Sequence, residues 1–496
     1  MKCLLSALLL AFALGACAVS PRHPAHVAPL DASALGLSAA AAAPISERWW
    51  QAFSDPQLDS LVGEALTSNP SLAEVLARLE RARADAQAAA SARAPQLDAS
   101  AVVMRERYSA RYIIPPPYGG STFWDGQADI GLSYEVDFWG RQAAMIRAAA
   151  RSARALELDA RAATLAVEGA LVTAYVELDR RYADSALAAA DEDTRRELAA
   201  LTRKRVDAGL DTGIDLRTAD AALPASRADR EQATAAIELA VHRLAAVLGR
   251  GPKAYDGIAR PKLSLDNAIT LPSAIPGDLL LRRPDVAAAL TRIDAATAGE
   301  DAARLAAYPD INLRAFVGTA ALTLADLVSA PARTYGIGPA VHLPIFDGGL
   351  LRARLRGASA DLDAAIAQYD STVLGAVREV ADALTTVDAL GRALHDANER
   401  LDQLVGARRL ADERFHGGLG TRLAVLEAQA RVIAAQRRPA VPLLPTRSSR
   451  DRHDNPSDRR FGRDDDGPAS RIHHLRRRAA GGGDRLGGIL ARDPPL

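Results

Sequence analysis

Residues 373–405 read VLGAVREVADALTTVDALGRALHDANERLDQLV, and apolar side chains recur along them at alternating spacings of four and three, with Gly391 and Asn398 filling two seam positions. This spacing predicts a helix whose apolar seam packs against a facing helix, as in a coiled coil. The seam consists of Val373, Val377, Val380, Leu384, Val387, Leu394, Leu401 and Val405. The proline-free run covers residues 349–438 and breaks once, at the glycine-rich residues 416–420. We therefore predict two long helices folded into a hairpin.

The composition of the 496-residue chain favours long, thin helical rods over several compact globules. Aromatic residues make up only 4% and the formal net charge is zero. Alanine and the charged residues with high helix propensity suit such rods, and a neutral total gives no general attraction to nucleic acid. We find no phosphate-binding loop, nucleophile elbow or histidine pair at metal spacing, so we expect no enzyme activity, no cofactor and no metal.

The N-terminus has the pattern of an export signal. Lys2 precedes a short apolar run, and residues 14–17 read Leu-Gly-Ala-Cys. A basic start and an apolar stretch too short to span a membrane are typical of signal peptides, and the four residues match the bacterial lipobox. We predict a signal peptide over residues 1–16, a lipid such as palmitate on Cys17, and a lipidated tether over residues 17–48. An ordinary signal peptide with a coincidental cysteine is the alternative.

A unit of about 200 residues occurs twice in the chain. Pro70 and Pro95 return as Pro284 and Pro309, both offset by 214 residues. The Phe-Trp-Gly of residues 138–140 returns as Phe-Asp-Gly at an offset of 208, and the glycine that breaks each hairpin returns at 209. Three anchors with nearly one offset predict a tandem duplication. The predicted domains are a first repeat at 49–249, a connector at 250–282 and a second repeat at 283–438.

Each copy also contains two segments with the alternation of a β-strand. In the first copy the apolar residues are Leu97, Ala99, Ala101 and Val103 in the first segment, and Ala128, Ile130, Leu132, Tyr134, Val136 and Phe138 in the second. In the second copy they are Ile311, Leu313, Ala315 and Val317 in the first segment, and Tyr335, Ile337, Val341, Leu343 and Ile345 in the second. Strands of this length suit a tilted membrane span, and the edge of a soluble sandwich is the alternative. Residues 111–125 predict an exposed loop, and the pairs Phe123, Trp124 and Phe138, Trp139 suit the two interfaces of a bilayer.

Four strands per chain cannot close a barrel. An open sheet edge in lipid leaves unpaired backbone groups, each costing several kcal/mol. If the strands span a membrane, chains must therefore combine them, and two chains would supply eight strands and three would supply twelve. Twelve strands also leave room for a lumen, whereas eight are filled by side chains.

Residues 281–286 read LRRPDV, a motif found in a known protein family. Together with the lipobox, the repeated unit and residues 425–429, VLEAQ, this motif resembles the outer-membrane efflux lipoproteins of Gram-negative bacteria, the TolC-like ducts of the NodT-type branch. The resemblance covers residues 17–438. It implies a membrane α+β fold in which four strands per protomer contribute to a trimeric 12-stranded transmembrane barrel that continues into a long α-helical coiled-coil tunnel.

The resemblance also implies a function and partners. Such a homotrimer is a passive exit duct for small molecules or drugs, lipid-anchored and spanning in the outer membrane and extending into the periplasm. It would work with a periplasmic adaptor (membrane fusion) protein and an inner-membrane pump of the resistance-nodulation-division class, with outer-membrane lipid around it and no nucleic acid. A type I secretion duct of the same fold and a non-channel structural envelope lipoprotein are the alternatives.

In the family, acidic residues near the hairpin turns close the periplasmic end of the tunnel. Asp215 matches this position in the first copy, whereas the second copy has Ala424 there and Glu427 three residues later. Phe415 stands where tyrosine is common, and Arg422 is a basic neighbour. The resemblance thus implies an aperture of Asp215, Glu427, Arg422 and Phe415. Carboxylates on a closed pore axis repel one another and attract cations. Solvated charges at a helix tip are the alternative.

The C-terminal residues 439–496 do not follow the repeat. The first return helix is predicted over residues 212–249, but its counterpart meets Pro439, Pro442 and Pro445. One proline inside a helix costs about 3 kcal/mol, and three so close preclude a helix. The remainder is rich in arginine, aspartate and glycine without an apolar pattern, so we predict disorder and hypothesise a frameshifted reading of the normal C-terminus. The second repeat would then be truncated; a basic tail that binds nucleic acid is the alternative.

Overall fold

The computed structural model describes residue 26 and residues 28–30, 46–264 and 282–437. The predicted signal peptide, the lipid on Cys17, most of the tether, part of the connector and the predicted tail at 439–496 lie outside the described residues. The described chain is mostly helical and contains one antiparallel sheet.

The elements follow one another in two similar series. The first comprises a 3-10 helix (Trp49–Phe53), α1 (Pro56–Ser68), α2 (Pro70–Ser91), β1 (Gln96–Arg107), β2 (Thr122–Val136), α3 (Arg141–Asp207) and α4 (Gly213–Val247). After a short 3-10 helix (Pro252–Gly257), the second comprises α5 (Pro284–Leu305), β3 (Asp310–Ala321), β4 (Arg333–His342), α6 (Leu350–His416) and α7 (Arg422–Arg437). Both predicted hairpins are confirmed.

Corresponding elements of the two series have equal lengths at three places. α2 and α5 have 22 residues each, β1 and β3 have 12, and α3 and α6 have 67. Of the return helices, α4 has 35 residues, and α7 has 16 up to Arg437, which is the last residue that the structure describes.

Local signals set the helix ends. Asp55 and Asn69 cap α1 and α2 by accepting hydrogen bonds from the backbone N–H groups of Gln57 and Leu72, and a proline follows each cap. Side chains of this kind satisfy the free N–H groups of the first turn. α3 and α6 are each followed by a glycine with positive φ, Gly209 at 70° and Gly418 at 72°. Glycine adopts this left-handed conformation without steric cost, which ends the helix and starts the turn.

The four strands pair in the order β1-β2-β3-β4, all antiparallel. Two predicted strands are shorter than expected, since β2 ends at Val136, before Phe138, and β4 ends at His342, before Leu343 and Ile345. The N–H of Phe138 instead donates to the carbonyl of Val136 in a turn. Pro344, which has no N–H to pair, follows the end of β4. The connection between β1 and β2 covers residues 108–121, so Phe123 and Trp124 belong to β2 and not to the predicted loop.

The largest hydrophobic core lies where α1, α3 and α4 meet. Its fully buried members include Leu58, Leu171, Tyr175, Leu178 and Leu244. A smaller core joins α5 and α6 through Val286, Ala289, Tyr369, Val373 and Ala376. The predicted heptad seam of α6 is therefore buried at its start.

Among the described residues, no helix combines the length and the apolar character that a membrane crossing requires.

Candidate functional site

The register of the sheet defines one almost wholly apolar face, because directly opposed residues of antiparallel strands point to the same side. Leu132 lies opposite Leu97 on β1 and Ala315 on β3, and Ala315 lies opposite Ile337 on β4. The side chains of this face are exposed in the single chain; Tyr335 is 83% and Ile337 79% accessible. A contiguous apolar surface of this kind indicates contact with lipid or with another protein.

The opposite face of the sheet is polar and acidic. Its charged residues are Asp98, Glu106, Asp125, Asp129, Glu135, Asp310 and Arg314. The Ser100 hydroxyl donates to Asp129 Oδ1 at 2.8 Å across β1 and β2. Arg141, at the start of α3, pairs with Glu135 at 2.7 Å and with Asp310 at 3.3 Å. The charged and polar side chains make this face suited to contact with water.

The height of the apolar face matches the hydrocarbon thickness of a membrane. Along β2 it extends from Val136 to Gly126, which are ten residues apart. At about 3.3 Å per residue and a tilt of about 40°, this corresponds to about 25 Å, the apolar band of an outer-membrane barrel. Trp124 lies at the loop end of β2, and Trp139 follows its other end, where the indole donates to the Pro309 carbonyl at 3.0 Å. The predicted interface aromatics thus lie at opposite ends of the band.

The predicted aperture residue Asp215 lies at the tip of the first hairpin, where it is exposed and also forms a helix cap. Its Oδ2 accepts hydrogen bonds from the Thr212 hydroxyl at 2.7 Å and the Thr212 N–H at 2.9 Å. The Thr212 hydroxyl in turn accepts from the Asp215 N–H, which completes a capping box. These hydrogen bonds, that of the hydroxyl foremost, hold the pKa of Asp215 below its usual value. The carboxylate therefore stays ionised at neutral pH.

Asp215 and Glu427 line one cavity of about 380 Å³ between α3, α4 and α7. The structure therefore brings together the two carboxylates that the resemblance implied. Asp211, which the sequence reasoning missed, lines the same cavity and accepts hydrogen bonds from Arg205 at 2.7 and 2.8 Å. The hydrogen bonds from Arg205 lower the pKa of Asp211. The sequence signal that could have identified Asp211 is its place in the short turn between α3 and α4, close to the basic residues in the last turn of α3.

Arg422 and Phe415 do not line this cavity. Arg422 forms an ion pair with Glu197 of α3 at 3.0 Å and thereby ties the tip of the second hairpin to the first. Phe415, half-buried at the end of α6, packs against the ring of His416 at a centroid distance of 5.6 Å. Arg422 therefore links the two hairpins, and Phe415 lies at the end of α6 beside the turn.

The LRRPDV motif holds α5 against α6. The Arg283 guanidinium donates to Asp285 at 2.8 Å and to Glu379 of α6 at 2.9 Å. These hydrogen bonds raise the pKa of Arg283 above its usual value, and the bond to Asp285 contributes most. The guanidinium group is therefore permanently charged. Arg292 forms a further ion pair with Asp159 of α3. The motif thus links the start of α5, the end remote from β3, to the middle of α6.

Comparison with known proteins agrees with this geometry. The family described as Outer membrane efflux protein matches residues 61–250 and 275–440. The fusaric acid resistance protein FusA of Burkholderia cepacia is 38% identical over 366 residues, which are 72% of this chain and 69% of the relative. The outer membrane protein OprJ of Pseudomonas aeruginosa is 34% identical over 433 residues, 86% of this chain and 89% of the relative.

A solved structure is similar over most of its length. The outer membrane protein VceC of Vibrio cholerae is 33% identical to this chain, with a TM-score of 0.72 over 79% of this chain and 94% of VceC. The relatives are channel and transport proteins of the outer membrane, not enzymes. The chain therefore belongs to the outer membrane efflux protein family and is an outer-membrane channel component of an efflux pump that extends into the periplasm.

Proposed function

We propose that this chain is the passive exit duct of a tripartite efflux pump, through which small molecules leave the periplasm for the exterior. The single observation that carries the proposal is the two-faced sheet, whose apolar side matches a bilayer and whose acidic side suits a water-filled lumen. The two 67-residue helices, each about 100 Å long, extend such a lumen far into the periplasm. FusA is named for fusaric acid resistance, which agrees with a small-molecule cargo.

The proposed assembly is a homotrimer with a twelve-stranded barrel. Among the described strands, β1 and β4 are the edges of the sheet, and an open edge in lipid is costly. Joining β4 of one protomer to β1 of the next removes every edge, and three copies give a barrel with a lumen. The equal lengths of α2 and α5, β1 and β3, and α3 and α6 support the origin of each protomer in a tandem duplication.

The proposed lipid on Cys17 is compatible with the position of the N-terminal segment. His26 lies against α6, where its Nδ1 is 2.8 Å from Asp363 Oδ1. Asp363 is 13 residues into α6, about 20 Å from the end nearest the sheet. The nine residues from Cys17 to His26 reach at most about 32 Å, so a lipid at Cys17 can reach the membrane surface beside the sheet.

The proposed periplasmic aperture consists of Asp215 and Glu427, with Asp211 beside them, supported by Arg422 and Phe415. Threefold assembly would bring three copies of this acidic cavity around one axis. Ionised carboxylates at a narrow axis repel one another, so closure requires cations or basic partner residues. A periplasmic adaptor that supplies such residues, bound to an inner-membrane pump of the resistance-nodulation-division class, is the proposed partner.

The truncation of the second repeat also stays a proposal. The family match ends at residue 440, close to the predicted end of helical periodicity at Arg438. We therefore retain the interpretation of residues 439–496 as a frameshifted tail, in place of the second half of the last tunnel helix.

Two measurements on the detergent-extracted chain test the duct. We expect an unboiled trimer band on a heat-modifiable gel and single-channel conductance in a planar bilayer. As a matched pair, Ile337→Asp puts a charge on the apolar face and should reduce the amount of membrane-inserted trimer, whereas Gly338→Asp puts the same charge on the polar face and should be tolerated. A helical protein that stays monomeric and gives no conductance would contradict the proposal.

A further inference from the structure

Charge is sorted between the two faces of the sheet. Within the strands, the apolar face carries three charged residues, all arginines: Arg105 and Arg107 at the end of β1 and Arg333 at the start of β4. Every carboxylate of the strands belongs to the acidic face described above. Neighbouring residues such as Arg105 and Glu106 therefore point to opposite sides of the sheet.

The three arginines share one end of the sheet. Arg105 lies opposite Trp124 and Arg107 opposite Thr122, next to the loop that joins β1 to β2. Arg333 lies opposite Thr319, next to the loop that joins β3 to β4. The Arg105 guanidinium lies over the Trp124 ring, 5.7 Å from its centroid. All three arginine side chains are exposed, and none belongs to an ion pair among the residues that the structure describes.

Their position coincides with the edge of the apolar band. The band ends at Val103 and Gly126, which lie opposite each other, and Arg105 and Trp124 form the next pair outward on the same face. Tryptophan is typical of the level of lipid headgroups. Arginine on the lipid face of a barrel costs about 2–4 kcal/mol at the midplane but about 0–1 kcal/mol near the interface, so this is the level where arginine is tolerated.

We propose that Arg105, Arg107 and Arg333 bind the phosphate groups of anionic lipid headgroups in the outer leaflet. The inference rests on the proposed barrel, and barrel closure strengthens it. β1 and β4 are the two edges of the sheet, so joining them across protomers brings Arg333 of one copy beside Arg105 and Arg107 of the next. Each protomer boundary then has three guanidinium groups, which bind phosphate in a bidentate manner, beside an indole ring.

The test measures the affinity of the purified detergent-solubilised trimer for fluorescent lipid A, which carries two phosphates, with phosphatidylcholine as neutral competitor. Arg105→Gln, Arg107→Gln and Arg333→Gln are combined in one variant. Because each arginine near an anionic lipid surface contributes roughly 1 kcal/mol, we expect the affinity to fall on the order of a hundredfold. The matched control combines Arg378→Gln, Arg392→Gln and Arg409→Gln, three exposed arginines of α6, and should leave the affinity unchanged.

Each further outcome decides one point. A variant with lysine at the three positions keeps the charge but not the bidentate geometry, so it should bind more tightly than the glutamine variant and less tightly than the wild type, which separates lost binding from lost folding. Unchanged affinity in the glutamine variant that still forms a trimer would overturn the inference alone. Displacement of lipid A by inorganic phosphate at equal phosphate concentration would overturn it in favour of a free-anion site. A wild-type chain that forms no trimer would overturn the proposed function and this inference with it.

Discussion

The two hairpins pair equally long outgoing helices with return helices that the structure describes over different lengths. α3 and α6 both have 67 residues and begin 209 positions apart, at Arg141 and Leu350. In α3, Leu171 and Leu178 are fully buried at 0% accessibility. Their counterparts in α6 are Val380, which is half-buried, and Val387, which is 40% accessible.

The difference lies in what covers each helix. Leu171 and Leu178 pack in a core that also includes residues of α1 and α4, and α4 returns for 35 residues. In the described part of the second hairpin, α7 extends for 16 residues up to Arg437 and covers the part of α6 near the turn. An apolar heptad seam therefore specifies where a helix can pack, but the length of its partner decides how much of the seam is buried.

The largest effect should come from truncating equivalent seam residues in the two hairpins. Leu178→Ala removes a fully buried side chain and should lower the free energy of unfolding by about 2–5 kcal/mol. Val387→Ala should cost less than about 1 kcal/mol, because its side chain is already partly in solvent. Urea denaturation of the detergent-solubilised protein, followed by circular dichroism, measures both. Equal losses would show that the α6 seam is covered as fully as that of α3.

Completing the short return helix should remove the difference. Residues 230–249 of α4 correspond in register to residues 439–458, so they can replace that segment directly. Covering Val387, Leu394 and Leu401 should increase the free energy of unfolding by about 3 kcal/mol, at about 1 kcal/mol for each partly buried side chain. A graft with the same composition in scrambled order is the control. If both grafts behave alike, the exposed seam is not the site of the missing partner.

Removing the hydrogen bonds of Arg283, which link α5 to α6, should have a smaller effect on stability. Arg283→Ala leaves Asp285 and Glu379 without this donor and should reduce the free energy of unfolding by about 2 kcal/mol. Arg378→Ala is the matched control, since its pair with Asp382 is exposed and such pairs contribute about 0–1 kcal/mol. The same urea titration distinguishes them. A loss for Arg283 no larger than that for Arg378 would mean that α6 is held against α5 by apolar contacts alone.

The smallest effect concerns the N-terminal segment, which contacts α5 and α6. His26 faces Asp363 of α6 and Glu300 of α5, the Leu30 N–H donates to Asp370 of α6, and Arg304 of α5 is paired with Glu300. The hydrogen bond to Asp363 foremost raises the pKa of His26. Because the pKa of His26 is raised when the segment is bound, the protonated imidazole stabilises the bound segment. This stabilisation is fully present at pH values below the ordinary histidine pKa and is lost as the pH rises through the raised pKa.

Hydrogen exchange of the Leu30 amide should therefore be slower at about pH 5.5 than at about pH 8.5, relative to the intrinsic rates. His26→Gln should remove this difference between the two pH values. The control is His395→Gln, which changes an exposed histidine of α6 and should leave the difference unchanged. Protection that is the same at both pH values in the wild type would show that the imidazole charge does not hold the segment.

Several features of the site were predictable only in part, because they depend on contacts between distant residues. The family resemblance implied Asp215 as an aperture residue, but its cavity with Glu427 joins residues more than two hundred positions apart. The LRRPDV motif identified the family, yet its contact with Glu379 appears only when α5 packs on α6. The ends of β2 and β4 also differed from the expected ones, since alternation in the sequence continues past the last paired residue.

The sequence by itself determined the helical hairpins, the turns at Gly209 and Gly418, the two faces of the strands and the repeated order of elements. These features depend on a few neighbouring residues, through backbone conformation and the periodicity of apolar side chains. Only the tertiary structure decided that Leu178 is buried while Val387 is exposed, and which arginine holds which carboxylate. Burial and ion pairing depend on which segments meet in space, and an apolar or charged pattern in one segment does not specify its partner.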